Sequence, residues 1–161
     1  MRKRKWMGWV LWLGGLAAGG CLLHFLYGWL PYPATALFAP VRESLWEHGK
    51  IVFWPLLFAA RYMPESMGSP RLFNRLAGTL IAVFGMYAVA YTKRVLLGVQ
   101  ALWPDILLFV VSLAVGLWLF DKLRLPTAAK PVVYALTAVY TASILLFSFA
   151  VPGGMLFMDM A

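Results

Sequence analysis

Residues 6–30 read WMGWVLWLGGLAAGGCLLHFLYGWL, and this stretch decides the class of fold. It contains no Asp, Glu, Lys or Arg, and as a helix it would rise about 37 Å, enough to cross a hydrocarbon core of about 30 Å. A basic start and small residues before Cys21 are also typical of a lipoprotein signal peptide, but the chain stays apolar beyond Cys21. We therefore interpret the stretch as a membrane-spanning helix, in which Gly15 and Gly19 form a small-residue patch for a neighbouring helix.

Four further apolar segments follow this one. The predicted spans cover about residues 6–30, 41–63, 72–91, 104–120 and 131–151. The chain is 63% hydrophobic and 12% charged, which excludes a soluble globular domain with its usual charged fraction of about 25%. Only short loops remain between the spans, so residues 1–161 form one domain. The sequence predicts an all-α integral membrane protein that is a single bundle of about five transmembrane helices.

The basic residues predict the orientation of this bundle. If the N-terminus is cytoplasmic, ten of the 14 basic residues fall on the inner side and four on the outer side. The inner ten are Arg2, Lys3, Arg4, Lys5, Arg61, Arg71, Arg75, Lys122, Arg124 and Lys130, and the outer four are Arg42, Lys50, Lys93 and Arg94. The positive-inside rule therefore predicts a cytoplasmic N-terminus and an exterior C-terminus.

Charge and cysteine content exclude a nucleic-acid-binding protein and any site that needs more than one cysteine. The net charge of +8 comes from small basic groups at the ends of apolar runs, and no polar face carries the continuous basic patch that nucleic-acid binding needs. A single cysteine, Cys21, excludes an internal disulfide and a zinc site made of thiolates.

Ionisable residues converge at one depth of the predicted bundle. His24 lies about 9 Å below the outer end of the first span, and Glu47 and His48 lie about 10–12 Å into the second. Glu43 and Asp105 are shallower, each in the predicted first turn of its helix. Because charged groups inside a membrane usually face the bundle interior and mark a site, we expect one outer-leaflet cavity with His24, Glu43, Glu47, His48 and Asp105 as candidate metal ligands.

These residue types suit a divalent metal such as zinc, because neutral imidazoles and carboxylates are hard-to-borderline ligands. In a catalytic site Glu43, Glu47 and His48 would act as acid or base groups. Arg42 and Lys50 would then bind an anionic substrate group.

Two alternatives use the same residues differently. A haem with His24 and His48 as axial ligands is the weaker cofactor candidate, because no spacing in the sequence requires it. In a structural interpretation, Glu43 stabilises a helix N-terminus, Glu47 pairs with Lys50 or Arg42, and the histidines form hydrogen bonds across helices.

Residues 23–55 resemble a family of small, uncharacterised bacterial membrane proteins of the domain-of-unknown-function type. The family pattern is similar to H-x-x-Y followed by P-V-N-E-S-x-W-E-H-x-K and a later proline. The matching residues are His24, Tyr27, Pro40, Val41, Glu43, Ser44, Trp46, Glu47, His48, Lys50 and Pro55. Arg42 replaces the asparagine, so a ligand or capping role of that side chain does not carry over. The resemblance implies a multi-span protein of the bacterial cytoplasmic membrane and no established activity.

Three classes of function are compatible with this pattern. A metal or a proton-sharing carboxylate pair could activate water in a membrane hydrolase that acts on a lipid or lipid-linked group. The same cluster could bind a cation or proton in a transporter or channel component, or the protein could be a non-enzymatic assembly or sensory subunit. Membrane lipid is the expected partner, and a homo-oligomer is a further option.

Overall fold

The computed structural model describes residues 2–99 and 101–158, with side chains from residue 6 onward. The basic side chains of residues 2–5 and the predicted exterior C-terminus lie outside the described part. Every regular element within it is helical. The helices are α1 (Arg2–Trp29), α2 (Pro33–Ala36), α3 (Leu45–Tyr62), α4 (Leu72–Tyr91), α5 (Leu102–Lys122) and α6 (Lys130–Phe147), with a π-helical turn at Thr92–Leu96 and 3₁₀ turns at Glu65–Met67 and Thr127–Ala129.

Four helical segments of the described chain are long and apolar enough to cross a membrane. They are Trp6–Trp29, Leu72–Leu96, Leu102–Lys122 and Thr127–Phe147. The remaining long helix, α3, carries Glu47, Lys50 and Arg61 within its 18 residues. It packs against α1, α4 and α5, and side chains along its length, including Val52, Phe53 and Leu56, are fully buried. The long helix that falls outside the four apolar segments is thus largely buried between other helices.

The start of α3 differs from the sequence prediction. Residues 40–44 lie outside any helix, whereas the second span was predicted to begin at about residue 41 with Glu43 in its first turn. Ser44 is the N-cap, with an extended backbone and a hydroxyl that accepts a hydrogen bond from Glu47 N at 3.2 Å. Ser44 and Glu47 form the S-x-x-E signature of a capping box, which is the sequence signal for this start. Glu43 is therefore a loop residue and does not share a helical face with Glu47.

Helix α1 crosses α3 at Gly20. Pro55 has no N–H and cannot bond the Ile51 carbonyl one turn earlier. Gly20 packs onto this carbonyl: a Cβ at Gly20 would lie 2.7 Å from Ile51 O and 2.6 Å from Phe109 Cζ. The expected packing positions Gly15 and Gly19 have no atom within 4 Å of such a Cβ. Gly20 thus fixes the approach of α1 and places His24 one turn further along, beside the start of α3.

At the other end of α3, a buried arginine satisfies free carbonyl groups. Arg75 of α4 donates to the carbonyl oxygens of Ala60 (3.2 Å) and Met63 (2.6 Å) at the end of α3, and to that of Ser69 (2.6 Å) in the following loop. The last carbonyls of a helix have no partner within it. Arg75, which the topology prediction treats only as a loop charge, therefore fastens α3 to α4.

Candidate functional site

Three of the predicted ligands converge where α1 ends and α3 begins. His24 comes from α1, Glu43 from the preceding loop of α3, and His48 from the first turn of α3. One ligand atom from each residue lies within 4.8 Å of the other two. His48 Nε2 is 3.4 Å from Glu43 Oε2, and the two imidazole centroids are 5.3 Å apart. We call His24, Glu43 and His48 the ligand cluster.

The local backbone orients His48 toward Glu43. His48 Nδ1 lies 2.8 Å from the carbonyl oxygen of Ser44. A carbonyl only accepts, so Nδ1 carries the proton and donates. Nε2 then faces the Glu43 carboxylate. A histidine that binds a metal through one nitrogen usually donates its other N–H to a carbonyl or carboxylate, and His48 is arranged in this way.

His24 is held by its apolar surroundings. Its ring packs edge-on against Phe25, with centroids 5.1 Å apart. Nδ1 is buried and has no hydrogen-bond partner among the described residues. Leaving a buried polar atom unsatisfied costs about 1–3 kcal/mol. His24 therefore has an unused ligand atom within the fold.

The ligand cluster opens into a cavity of about 400 Å³ that His24, Tyr27, Arg42 and Glu43 help to line. We call it the Arg42 cavity. The Glu43 side chain is 58% exposed, and Arg42 is exposed and contacts no carboxylate of the described residues. A metal held here would have three protein ligands and an accessible side, as in catalytic rather than structural zinc sites.

Glu47 and Lys50 lie apart from the cluster in a buried ion pair. Glu47 Oε2 is 2.7 Å from Lys50 Nζ and accepts a hydrogen bond from Val41 N at 2.9 Å. The Lys50 ammonium, which is 0% exposed, has three more acceptors: the carbonyl oxygens of Ala36 (2.8 Å) and Ala39 (3.2 Å) and the hydroxyl of Ser148 (2.8 Å). Lys50 does not reach the Arg42 cavity. The pair instead fastens the loop that carries Glu43.

Both carboxylate oxygens of Asp105 form ion pairs with neighbouring cations. Oδ1 is 2.5 Å from Lys93 Nζ and Oδ2 is 2.7 Å from Arg94 Nη2, both cations belonging to the π-helical turn after α4. Asp105 and His48 do line one small cavity of about 40 Å³. The carboxylate is nevertheless directed at the two cations, so Asp105 joins α4 to α5 and is not part of the ligand cluster.

Sequence reasoning missed the tyrosine pair that fixes the rotation of α3. Tyr87 Oη donates to the Trp46 carbonyl at 2.9 Å, so Tyr140 Oη, 2.7 Å away, must donate to Tyr87. Gly49 makes room for this pair, because a Cβ there would lie 1.7 Å from Tyr87 Oη. Trp46 stacks on Tyr87 with centroids 5.7 Å apart. These contacts set the direction in which His48, two residues after Trp46, points.

These features define a small helical protein with an accessible His/Glu/His cluster between α1 and the start of α3. The chain belongs to the Family of unknown function (DUF6512), whose model matches residues 2–161. This confirms the predicted membership in a family of unknown function. No curated protein and no solved structure matches the chain.

Proposed function

We propose that this protein is a metal-dependent hydrolase of the bacterial cytoplasmic membrane that acts on a lipid or lipid-linked group. The observation that carries the proposal is the convergence of ligand atoms from His24, Glu43 and His48 within 4.8 Å of one another. Two histidines and a carboxylate are a common ligand set of catalytic zinc. A bound zinc ion would activate water for hydrolysis.

The residues around the cluster have distinct roles in this proposal. Ser44 holds His48 through its carbonyl, and the Glu47–Lys50 pair holds the loop of Glu43. Arg42 would attract an anionic substrate group into the cavity. Imidazole rings 5.3 Å apart leave little room for a macrocycle between them, which favours a single metal ion over a haem.

Exposed apolar side chains favour insertion into a bilayer. Leu11 on α1, Trp103 on α5 and Val139 on α6 are 75%, 78% and 64% exposed, and a soluble protein rarely exposes large apolar patches. We propose five membrane spans, with α3 in the middle of the bundle and the N-terminus in the cytoplasm. The ligand cluster then lies in the outer leaflet.

The hydroxyl groups of the long helices favour a hydrolase over a transporter. Each of five hydroxyls donates to a carbonyl four residues earlier in its own helix: Thr79, Ser112, Thr137, Thr141 and Ser143. A transporter needs polar groups that lead from the site toward the other side. These hydroxyls are used within their helices and offer no such path.

The metal content of the purified protein tests the ligand assignment. We expect about one divalent ion per chain by elemental mass spectrometry in detergent. His24→Ala, Glu43→Gln and His48→Ala should each lower the metal affinity by more than about 10-fold, the loss seen even when groups behind the ligands are changed. Glu65→Gln, at the exposed 3₁₀ turn beyond the other end of α3, is the matched carboxylate control and should keep the metal.

Unchanged metal content in both histidine variants would contradict the ligand assignment. Circular dichroism of each variant must show native helix content, so that unfolding is not mistaken for a lost ligand. The metal-loaded protein is then incubated with phospholipid substrates. A loaded protein that releases no product from any of them would contradict a phospholipid as the substrate while leaving the metal site intact.

A further inference from the structure

An apolar groove of about 640 Å³ runs along the surface between α1 and α3. On α1 it extends from Leu11 to Leu23, and on α3 it is bounded by Trp54 and Phe58. Gly15 and Gly19 line it, and a Cβ at either position would meet no atom within 4 Å, so the groove stays open where a larger side chain would fill it. We call this feature the apolar groove.

The apolar groove is long enough to hold most of one acyl chain. Leu11 to Leu23 spans about 18 Å along the helix axis. One leaflet of a hydrocarbon core about 30 Å thick measures about 15 Å. The groove is centred near the middle of the predicted span 6–30, so a chain bound there passes the midplane of the bilayer. Gly15 and Gly19 also have the spacing for a neighbouring helix, and it is the charge of Arg42 that favours an anionic lipid.

The apolar groove leads to the ligand cluster. Tyr27 lies one helical turn after Leu23, on the same face of α1, and it lines the Arg42 cavity together with His24. Leu23 of the groove and His24 of the cavity are neighbours in the chain, so the two features adjoin and one molecule could occupy both. The exposed cation there, Arg42, complements a negative charge.

We propose that the apolar groove binds an acyl chain of an anionic phospholipid whose phosphate contacts Arg42. This deepens the proposed function, on which it rests for the chemistry, by naming the substrate class: the lipid is bound with its headgroup linkage next to His24, Glu43 and His48. The apolar groove selects for the chain, and Arg42 selects for the charge.

Lipid binding by the full-length protein in detergent tests this proposal without any turnover. Native mass spectrometry with phosphatidylglycerol as the probe should show one tightly bound lipid. Gly15→Leu and Gly19→Leu fill the groove and should weaken its binding at least about 10-fold, the effect of losing one well-packed apolar contact region. Gly14→Leu is the matched control, because it has the same free space and does not line the groove, and it should bind as the wild type does.

Two further arms test the charge and the chain separately. Arg42→Gln should weaken phosphatidylglycerol binding strongly and the binding of zwitterionic phosphatidylcholine less, because the choline cation already compensates the charge of that phosphate. Glycerol 3-phosphate, which has the anionic group without a chain, should bind far more weakly than the lipid. Equal binding of glycerol 3-phosphate and the lipid, or equal effects of the Gly14, Gly15 and Gly19 variants, would overturn the proposal.

A second copy of the chain is the competing occupant. If Gly15→Leu and Gly19→Leu convert a dimer to a monomer in sedimentation while lipid affinity stays unchanged, the groove is a helix interface and the lipid proposal is wrong. A failure of the lipid proposal can be distinguished from a failure of the proposed metal-dependent function by comparing two sets of variants. The glycine variants should keep the metal, and the histidine variants should keep the lipid.

Discussion

At the scale of single residues, some of the ionisable residues predicted for the site belong to the ligand cluster, whereas others hold the backbone around it. Glu43 is exposed beside His48, whereas Glu47 is buried with Lys50 and serves the backbone of the loop. Removing one member of a buried ion pair leaves the other charge uncompensated, which is costly. Stability measurements should therefore separate these two glutamates clearly.

Lys50→Met should lower the free energy of unfolding in detergent by about 3–5 kcal/mol, because the Glu47 carboxylate and the loop carbonyls lose their cation. The double variant Glu47→Gln/Lys50→Met should cost less than the sum of the two single changes, since neither charge then remains alone. Lys122→Met is the control: its ion pair with Asp121 is 3.2 Å long and the lysine is largely exposed, so the cost should be at most about 1 kcal/mol. Equal losses in Lys50→Met and Lys122→Met would contradict the buried pair.

The sequence predicts part of the site because depth along a helix is simple to calculate. His24 and His48 have matching depths, and the structure brings them together. Depth does not give the direction of a side chain or the identity of its nearest partner. Glu47 and Asp105 were grouped with the histidines for that reason, although Lys50, Lys93 and Arg94 lie closer to their carboxylates.

At the scale of helices, the packing of α1 on α3 depends on one glycine. A methyl group at Gly20 would meet the Ile51 carbonyl, a backbone atom that cannot rotate away. Overpacking of this kind typically costs about 1–3 kcal/mol. The same change at a glycine with free space removes only backbone entropy from the unfolded chain.

Gly20→Ala should therefore destabilise the protein by about 1–3 kcal/mol, and it should also weaken metal binding because His24 lies one turn away on α1. Gly14→Ala, which meets no atom within 4 Å, should be neutral or stabilising by about 0.5–1 kcal/mol. Thermal unfolding of both variants in one detergent gives the comparison. A Gly20→Ala protein as stable as Gly14→Ala would mean that α1 does not pack on α3 in this way.

The bounds of the long helices can largely be predicted from the sequence, whereas the contacts between helices cannot. Apolar run length places α4 at Leu72–Tyr91, the same bounds as the predicted third span. Gly20, rather than Gly15 or Gly19, is the contact because it faces Ile51 and Phe109, which belong to two other helices. Such pairing between distant segments is absent from the local pattern. The start of α3 was predictable from Ser44 and Glu47, since the capping signature is local.

At the scale of the whole molecule, the burial of two basic residues changes the count of loop charges from which the orientation is predicted. Arg75 and Lys50 are buried and bonded to protein atoms, so neither acts as a free loop charge. Without Arg75 on the proposed inner side and Lys50 on the proposed outer side, the basic residues divide nine to three. The asymmetry becomes stronger, and the positive-inside rule gives the same orientation.

Reporter fusions should therefore read cytoplasmic after Arg71 and after Lys130, and external after Arg94 and after Ala161. The fusion after Arg71 is the decisive one. In the predicted topology two spans lie between the N-terminus and Arg71, so both are cytoplasmic, and one span lies between Arg71 and Arg94, so Arg94 is external. It also tests α3, the helix whose charges set it apart from the four most apolar segments. If α3 does not cross the bilayer, the Arg71 fusion becomes external, and the ligand cluster and the Arg75 contacts then lie on the same side of the membrane. A cytoplasmic Arg71 fusion requires α3 to span, which places its first turn, with His48, in the outer leaflet beside His24.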